Sequence, residues 1–172
     1  TKKIVKIKKL KNDSVVIDIA SNDGTLLNSY KKKVIKVGID PILNRFKKNY
    51  KNINYKIADF FSYQKFKKLN IGKADIITAF AVFYDIKNPN QFLKDIKNSL
   101  SNDGLFIIEQ SNLAYMMRLN SFDTICQEHL GYYSTSVIKS LVEKNELKII
   151  DHEYNQSNGG SSRYYITHID NK

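Results

Sequence analysis

The run Val15-Val16-Ile17-Asp18-Ile19, followed by Ala20-Ser21-Asn22-Asp23-Gly24 and Thr25-Leu26-Leu27, constrains this chain more than any other stretch. Its opening is apolar and mostly β-branched, the pattern of a parallel strand buried on both faces. Small, turn-forming residues then break the strand, and Asn22 or Asp23 can cap a helix that opens at Thr25. Strand, tight loop and helix start together make the cofactor-binding corner of a doubly wound α/β domain. Backbone N–H groups at that helix start can face a bound carboxylate or phosphate.

The glycines and the next acid say which cofactor fits. A dinucleotide loop needs G-x-G-x-x-G so that a pyrophosphate can approach bare backbone, and a P-loop needs G-x-x-x-x-G-K-[ST]. Gly24 is the only glycine in this loop, so both are disfavoured. A second strand over 33–39 ends in Asp40-Pro41, where an acid can take both ribose hydroxyls of an adenosine. A third, over 55–58, runs into Asp59-Phe60-Phe61, a carboxylate and an aromatic face for an adenine. Adenosine without pyrophosphate points to S-adenosylmethionine.

Further along, residues 74–80 read as a fourth strand whose end, at Phe80, faces the methionine part of the cofactor. Residues 81–86 form the cleft wall, and Asn88-Pro89 opens a helix with Phe92, Ile96 and Leu100 on one face. Asn102-Asp103-Gly104 is expected to turn into a fifth strand over 105–109. A helix-like stretch carries Met116, Met117 and Leu119, and a helix spans 136–145. Strands over 147–154 and 162–168, joined by a glycine-rich connection, suit an antiparallel hairpin. Short helices are expected over 25–32, from Pro41 through Leu43, Phe46 and Tyr50, and over 63–69. Residues 1–12, lysine alternating with Ile, Val and Leu, are expected to be a poorly anchored lead-in.

The segments from Asp18 to Leu27, Gly38-Ile39-Asp40-Pro41 and Ala58-Asp59-Phe60-Phe61, in that order, resemble class I S-adenosylmethionine-dependent methyltransferases. The segments 122–134, around Cys126-Gln127-Glu128-His129-Leu130-Gly131-Tyr132-Tyr133, and 158–163, Asn158-Gly159-Gly160-Ser161-Ser162-Arg163, resemble bacterial C-methyltransferases of nucleotide-linked 4-keto deoxysugars. The resemblance implies a Rossmann-like α/β fold, a mostly parallel sheet of about seven strands with an antiparallel last strand and helices on both faces. It implies S-adenosylmethionine as cofactor, S-adenosylhomocysteine as product and a nucleotide-linked sugar as substrate. Relatives in this group are longer, with a cysteine-rich zinc-binding region before this domain and an α/β region after it. Residues 1–172 are thus expected to be a single domain, either the central piece of a longer protein or a minimal member of the group.

Methylating carbon requires removing a proton from it, and an adjacent ketone makes that proton acidic. The protein must supply a base near neutral pH and a group that steadies the enolate oxygen. His129 is the candidate base. Glu128 beside it can take a sugar hydroxyl or orient a neighbour, and the resemblance implies the same Glu-His pair. Many relatives carry a histidine where this chain has Gln127, and some carry one at Asp85. Tyr84 and Tyr132 can donate to the keto oxygen or pack against the sugar. Asn158 and Gly159 allow close backbone approach to substrate or make a simple turn, and Arg163 can meet a phosphate. For the cofactor, Asp18 orders the loop, and Ala20, Asn22, Asp23 and Gly24 surround the methionine end. Ala20 replaces a commoner glycine, Asp40 and Pro41 lie at the ribose, and Asp59 and Phe60 at the adenine.

The net charge of +11 invites a nucleic-acid reading, but the basic residues are nearly all lysine, with arginine only at 45, 118 and 163. Arginine does most bidentate reading of bases and phosphates, so no nucleic-acid partner is expected. The same field favours an anionic nucleotide-sugar. Cys126 is the only cysteine, which leaves no intrachain disulfide or cysteine-based zinc site, and no metal is expected. No apolar stretch reaches the length of a membrane span, and a cytoplasmic setting without membrane partners is expected. The alternatives are O- or N-methylation of another small molecule or RNA, and an isolated cofactor-binding domain without turnover.

Overall fold

The five residues of β1 (Val15–Ile19) are all buried, and both neighbouring strands run parallel to it. The computed structural model describes residues 1–31 and 33–171, with the side chain of Asn158 outside the described set. β2 (Ile35–Ile39) pairs on one side of β1 and β4 (Ala74–Phe80) on the other. β3 (Tyr55–Ile57) extends the sheet beyond β2, and β5 (Leu100–Ser111) beyond β4. β6 (Leu147–Asn155) and β7 (Ser161–His168) form an antiparallel hairpin, with β7 antiparallel to β5. The order is β3-β2-β1-β4-β5-β7-β6. The expected seven-stranded sheet with its antiparallel end is borne out. Chain order reverses between β1 and β4, so a crevice opens at their carboxyl ends.

Strand alternation sorts the core into two layers. Val15, Ile17 and Ile19 face the same layer as Ile77, Phe106, Ile108 and Ile166. Over them lie α3 (Tyr63–Lys67), α4 (Pro89–Ser99) and α6 (Thr135–Lys144), through Phe66, Phe92, Leu93, Ile96, Ile138 and Val142. Val16, Ile76, Leu105, Ile107 and Tyr165 face the other layer. Leu27 of α2 (Thr25–Asn28) and Leu43 and Tyr50 of a 3-10 helix (Leu43–Tyr50) cover that face. α5 (Leu113–Leu119) stands at the carboxyl edge.

Several local expectations are corrected. The lead-in forms α1 (Lys2–Ile7), and Ile4 and Leu10 are buried against the second layer. Two of its lysines are tied down too: Lys3 pairs with Asp151 and Glu153, and Lys8 with Asp75 and Asp103. α2 is one turn, shorter than expected, and Gly24, in the left-handed conformation, holds its N-cap. Asp23 still serves the helix start, accepting the Thr25 N–H at 3.0 Å and its hydroxyl proton at 2.8 Å. The helix expected from Pro41 is the 3-10 helix, interrupted at Phe46 by non-helical dihedrals. Asn102-Asp103-Gly104 lies within a bulge of β5, where the register jumps from Ala74–Leu100 to Ile76–Leu105. α4 starts as its sequence implies: Asn88 accepts the Gln91 N–H at 3.0 Å, and Pro89 needs no donor in the first turn.

Candidate functional site

The loop after β1 is held by side chains rather than by glycines. Ala20 (φ +55°), Asn22 (φ +46°) and Gly24 (φ +76°) alternate in the left-handed region, which costs a residue with a Cβ roughly 1–2 kcal/mol. Tyr50, fully buried, holds the loop from below: its hydroxyl lies 2.7 Å from Ser21 Oγ and donates to the Asn22 carbonyl at 2.8 Å. Gly24 is also sterically required, since a Cβ there would come within 2.8 Å of Ile53. Asp18, at the end of β1, is buried beneath the loop and accepts the Thr78 hydroxyl at 2.6 Å. Burial away from water pushes its carboxyl up to about 7, partly opposed by that hydrogen bond.

Beside the loop lies a cavity of about 540 Å³, and five of the expected cofactor residues line it: Ala20, Asp40, Pro41, Asp59 and Phe60. Asp40 accepts the Asn22 N–H on one oxygen at 2.9 Å and the Ile42 N–H on the other at 2.8 Å. Each carboxylate oxygen has a second lone pair, enough for two vicinal hydroxyls. Phe60 is 74% exposed and offers a bare ring face. Asp59 accepts the Phe60 N–H at 2.7 Å and pairs with Lys65 at 2.6 Å, and these contacts hold its carboxyl below the usual range. Asn22, Asp23 and Gly24 belong to the loop and Asp18 bonds Thr78 beneath it, and none of the four lines this cavity. Phe80 packs on the opposite layer, with the Arg163 guanidinium 5.5 Å from its ring centroid. Phe61, expected beside Phe60 as aromatic surface, also lines the cavity; sequence reasoning missed Asn88, Gln91 and Asp95, which close it from the α4 side. The helix start at Asn88-Pro89 was the available signal.

His129 and Glu128 do not line this cavity, nor do Tyr84 and Tyr132; the His129 loop is tied to Tyr84, the neighbour of the cavity-lining Asp85. The N–H groups of Leu130 and Gly131 both donate to the Tyr84 carbonyl, at 2.9 and 3.0 Å. The Tyr84 ring lies over the imidazole with centroids 4.2 Å apart, and Tyr132 stands edge-on at 6.4 Å. His129 Nδ1 lies 2.8 Å from the Thr124 carbonyl oxygen. A carbonyl can only accept, so Nδ1 donates, and in the neutral imidazole Nε2 then keeps the lone pair. Nε2 has no hydrogen-bond partner among the described residues. Asp85, beside Tyr84, lines the cavity and interacts electrostatically with both His129 and Glu128. Its Oδ1 is buried without a hydrogen-bond partner among the described residues, and burial raises its carboxyl. Glu128 is exposed.

Arg163 is committed elsewhere, bound to Glu109 and to Glu153 between β5, β7 and β6, so it is not a free phosphate ligand. Gly159 sits with Gly160 in a second concavity, apart from the cofactor cavity; the side chain of Asn158 lies outside the described residues.

The family model for a methyltransferase domain matches residues 2–152. The chain belongs to that methyltransferase family. Among curated proteins it is similar to the C-methyltransferase NovU of Streptomyces niveus, 26% identical over 155 residues, covering 88% of this chain and 37% of NovU. The chain therefore spans little more than a third of that relative's length. Among solved structures it resembles an S-adenosylmethionine-dependent methyltransferase from Clostridium acetobutylicum, TM-score 0.72 at 15% identity, over 96% of this chain and 87% of the other. It also resembles LepI in complex with S-adenosylhomocysteine and a substrate analogue, TM-score 0.70 at 11% identity, over 91% of this chain and 43% of LepI. The expected class I methyltransferase fold is borne out, and the ligand held by LepI agrees with the cofactor expectation. No helix of this methyltransferase domain is long and apolar enough to cross a membrane among the described residues.

Proposed function

We propose that this domain is an S-adenosylmethionine-dependent C-methyltransferase acting next to the ketone of a nucleotide-linked deoxysugar, with His129 as general base. The observation that carries the reading is the imidazole: the Thr124 carbonyl holds Nδ1–H, leaving Nε2 of the neutral ring as a free acceptor, on a loop tied to Tyr84 beside the cavity-lining Asp85. The NovU likeness supports transfer to carbon, and the motif resemblance supports the sugar. The cavity suits the cofactor chemically, because Asp40 can take the ribose hydroxyls and Phe60 and Phe61 offer aromatic surface to an adenine. Four carboxylates against one lysine, Lys87, line it, which favours a cationic ligand. When bound, S-adenosylmethionine supplies an electrophilic methyl group on its sulfonium. His129 Nε2 takes the proton from the carbon beside the ketone. Tyr84 or Tyr132 donates to the oxygen on which the charge collects, and Asp85 favours the imidazolium so formed. Glu128, exposed beside the base, binds a sugar hydroxyl. The domain is the central part of a longer cytoplasmic enzyme in surface-polysaccharide or secondary-metabolite synthesis.

The test uses methyl-labelled S-adenosylmethionine and a nucleotide-linked 4-keto deoxysugar. The label is expected on a ring carbon next to the ketone, and His129→Gln should lower turnover at least ~100-fold with cofactor affinity unchanged. Label on oxygen or nitrogen, or turnover insensitive to His129, would sink the reading.

A further inference from the structure

The second concavity, about 400 Å³, opens at the carboxyl edge of the sheet beyond β5. α5 contributes Tyr115, Arg118 and Leu119, the end of β6 contributes Tyr154 and Asn155, and Gln156, Gly159 and Gly160 follow. Tyr115 and Tyr154 meet edge to face with centroids 5.2 Å apart, and Tyr154 remains 52% exposed. An aromatic pair so placed leaves a ring face for a planar ligand. Arg118, one of only three arginines, makes no hydrogen bond or ion pair with the described residues, in contrast to Arg163. No acidic residue lines the pocket. Gly160 (φ +120°) packs directly on α5, where a Cβ would come within 2.9 Å of Tyr115, so the floor on this side is bare backbone.

We propose that this pocket holds the nucleoside diphosphate handle of the substrate. The base lies against Tyr154 and Tyr115, the guanidinium of Arg118 takes the diphosphate, and the Gln156 amide meets the base edge. A guanidinium free of carboxylates is a bidentate phosphate ligand, and base–aromatic stacking tolerates any base. The inference rests on the nucleotide-linked substrate proposed above. The pocket also connects to the base of that reaction. A Cβ on Gly159 would lie 3.7 Å from Ser121 Oγ, the Thr124 hydroxyl donates to the Ser121 carbonyl at 2.7 Å, and the Thr124 carbonyl accepts from His129. One 3-10 turn, Phe122–Thr124, thus links the pocket side of the loop to the imidazole.

The experiment is calorimetric titration of the chain, saturated with S-adenosylhomocysteine, with uridine and thymidine diphosphates. Arg118→Ala and Tyr154→Ala should each weaken nucleotide binding about tenfold or more without changing S-adenosylhomocysteine affinity. Lys139→Ala, a surface cation on α6, should change neither, and the amide resonances of Gly159 and Gly160 should shift on nucleotide addition. Unchanged nucleotide affinity in both variants would overturn the subsite and leave the substrate class standing. A chain that binds S-adenosylhomocysteine but neither diphosphate would also overturn it. His129-dependent chemistry on the keto sugar judges the substrate class separately.

Discussion

Asp18 is a carboxyl buried beneath the loop at a cost in stability that depends on pH. Its carboxyl is enclosed at the end of β1, with Thr78 as its hydrogen-bond donor, and it keeps its proton up to about pH 7. In the unfolded chain the same group releases its proton near pH 4. Between those values the native state binds more protons than the unfolded state, so Asp18 makes stability fall as pH rises from about 4 to about 7. The full effect is on the order of 4 kcal/mol. Asp18→Asn, which still accepts from Thr78, should flatten that slope and raise the melting temperature most above pH 7. Melting curves at pH 5 and pH 8 check this, and parallel pH profiles for the two proteins would contradict it. At this scale the sequence was legible where spacing carries the meaning, as with Asp40, Asp59 and Phe60. It was silent where a backbone atom decides the role: no spacing shows that the Thr124 carbonyl fixes the tautomer of His129. Nor does it show that Asp85 keeps an unpartnered oxygen in the cavity wall.

Among the elements, the buried strands could be read because continuous or alternating apolar runs have few other solutions; β4 covers 74–80 as expected. α1 escaped because its partners are remote. Ile4 and Leu10 are set among lysines, and Lys3 beside them finds its carboxylates as far away as Asp151 and Glu153. The helix expected after Pro41 tightened into a 3-10 helix, and this shape brings Tyr50 under the cofactor loop. Tyr50→Phe keeps the ring and removes the hydroxyl that touches Ser21 and the Asn22 carbonyl. It should cost about 1–3 kcal/mol in stability. Because the lost bonds hold a strained loop, S-adenosylhomocysteine affinity should fall as well. Denaturant unfolding and calorimetry measure the two effects, and a loss of stability with full affinity would show that the loop needs no such support.

The whole molecule separates its charges by task. The chain carries +11 overall, yet the cofactor cavity collects Asp40, Asp59, Asp85 and Asp95 against Lys87. The acidic lining favours a cationic cofactor there, and the proposed anionic substrate is assigned to a different place on the same carboxyl edge. The loop of His129 is bonded on one side to Tyr84, next to the cavity-lining Asp85, and on the other, through Thr124, to Ser121 beside Gly159. The central claim is that His129 removes a proton from carbon. Solvent deuterium exchange into a nucleotide-linked 4-keto deoxysugar, with S-adenosylhomocysteine in place of the methyl donor, isolates that step. The account predicts exchange at the carbon next to the ketone in the unaltered chain and loss of that exchange in His129→Gln. Equal exchange in both proteins, or none above the rate in buffer while S-adenosylhomocysteine remains bound, would contradict it.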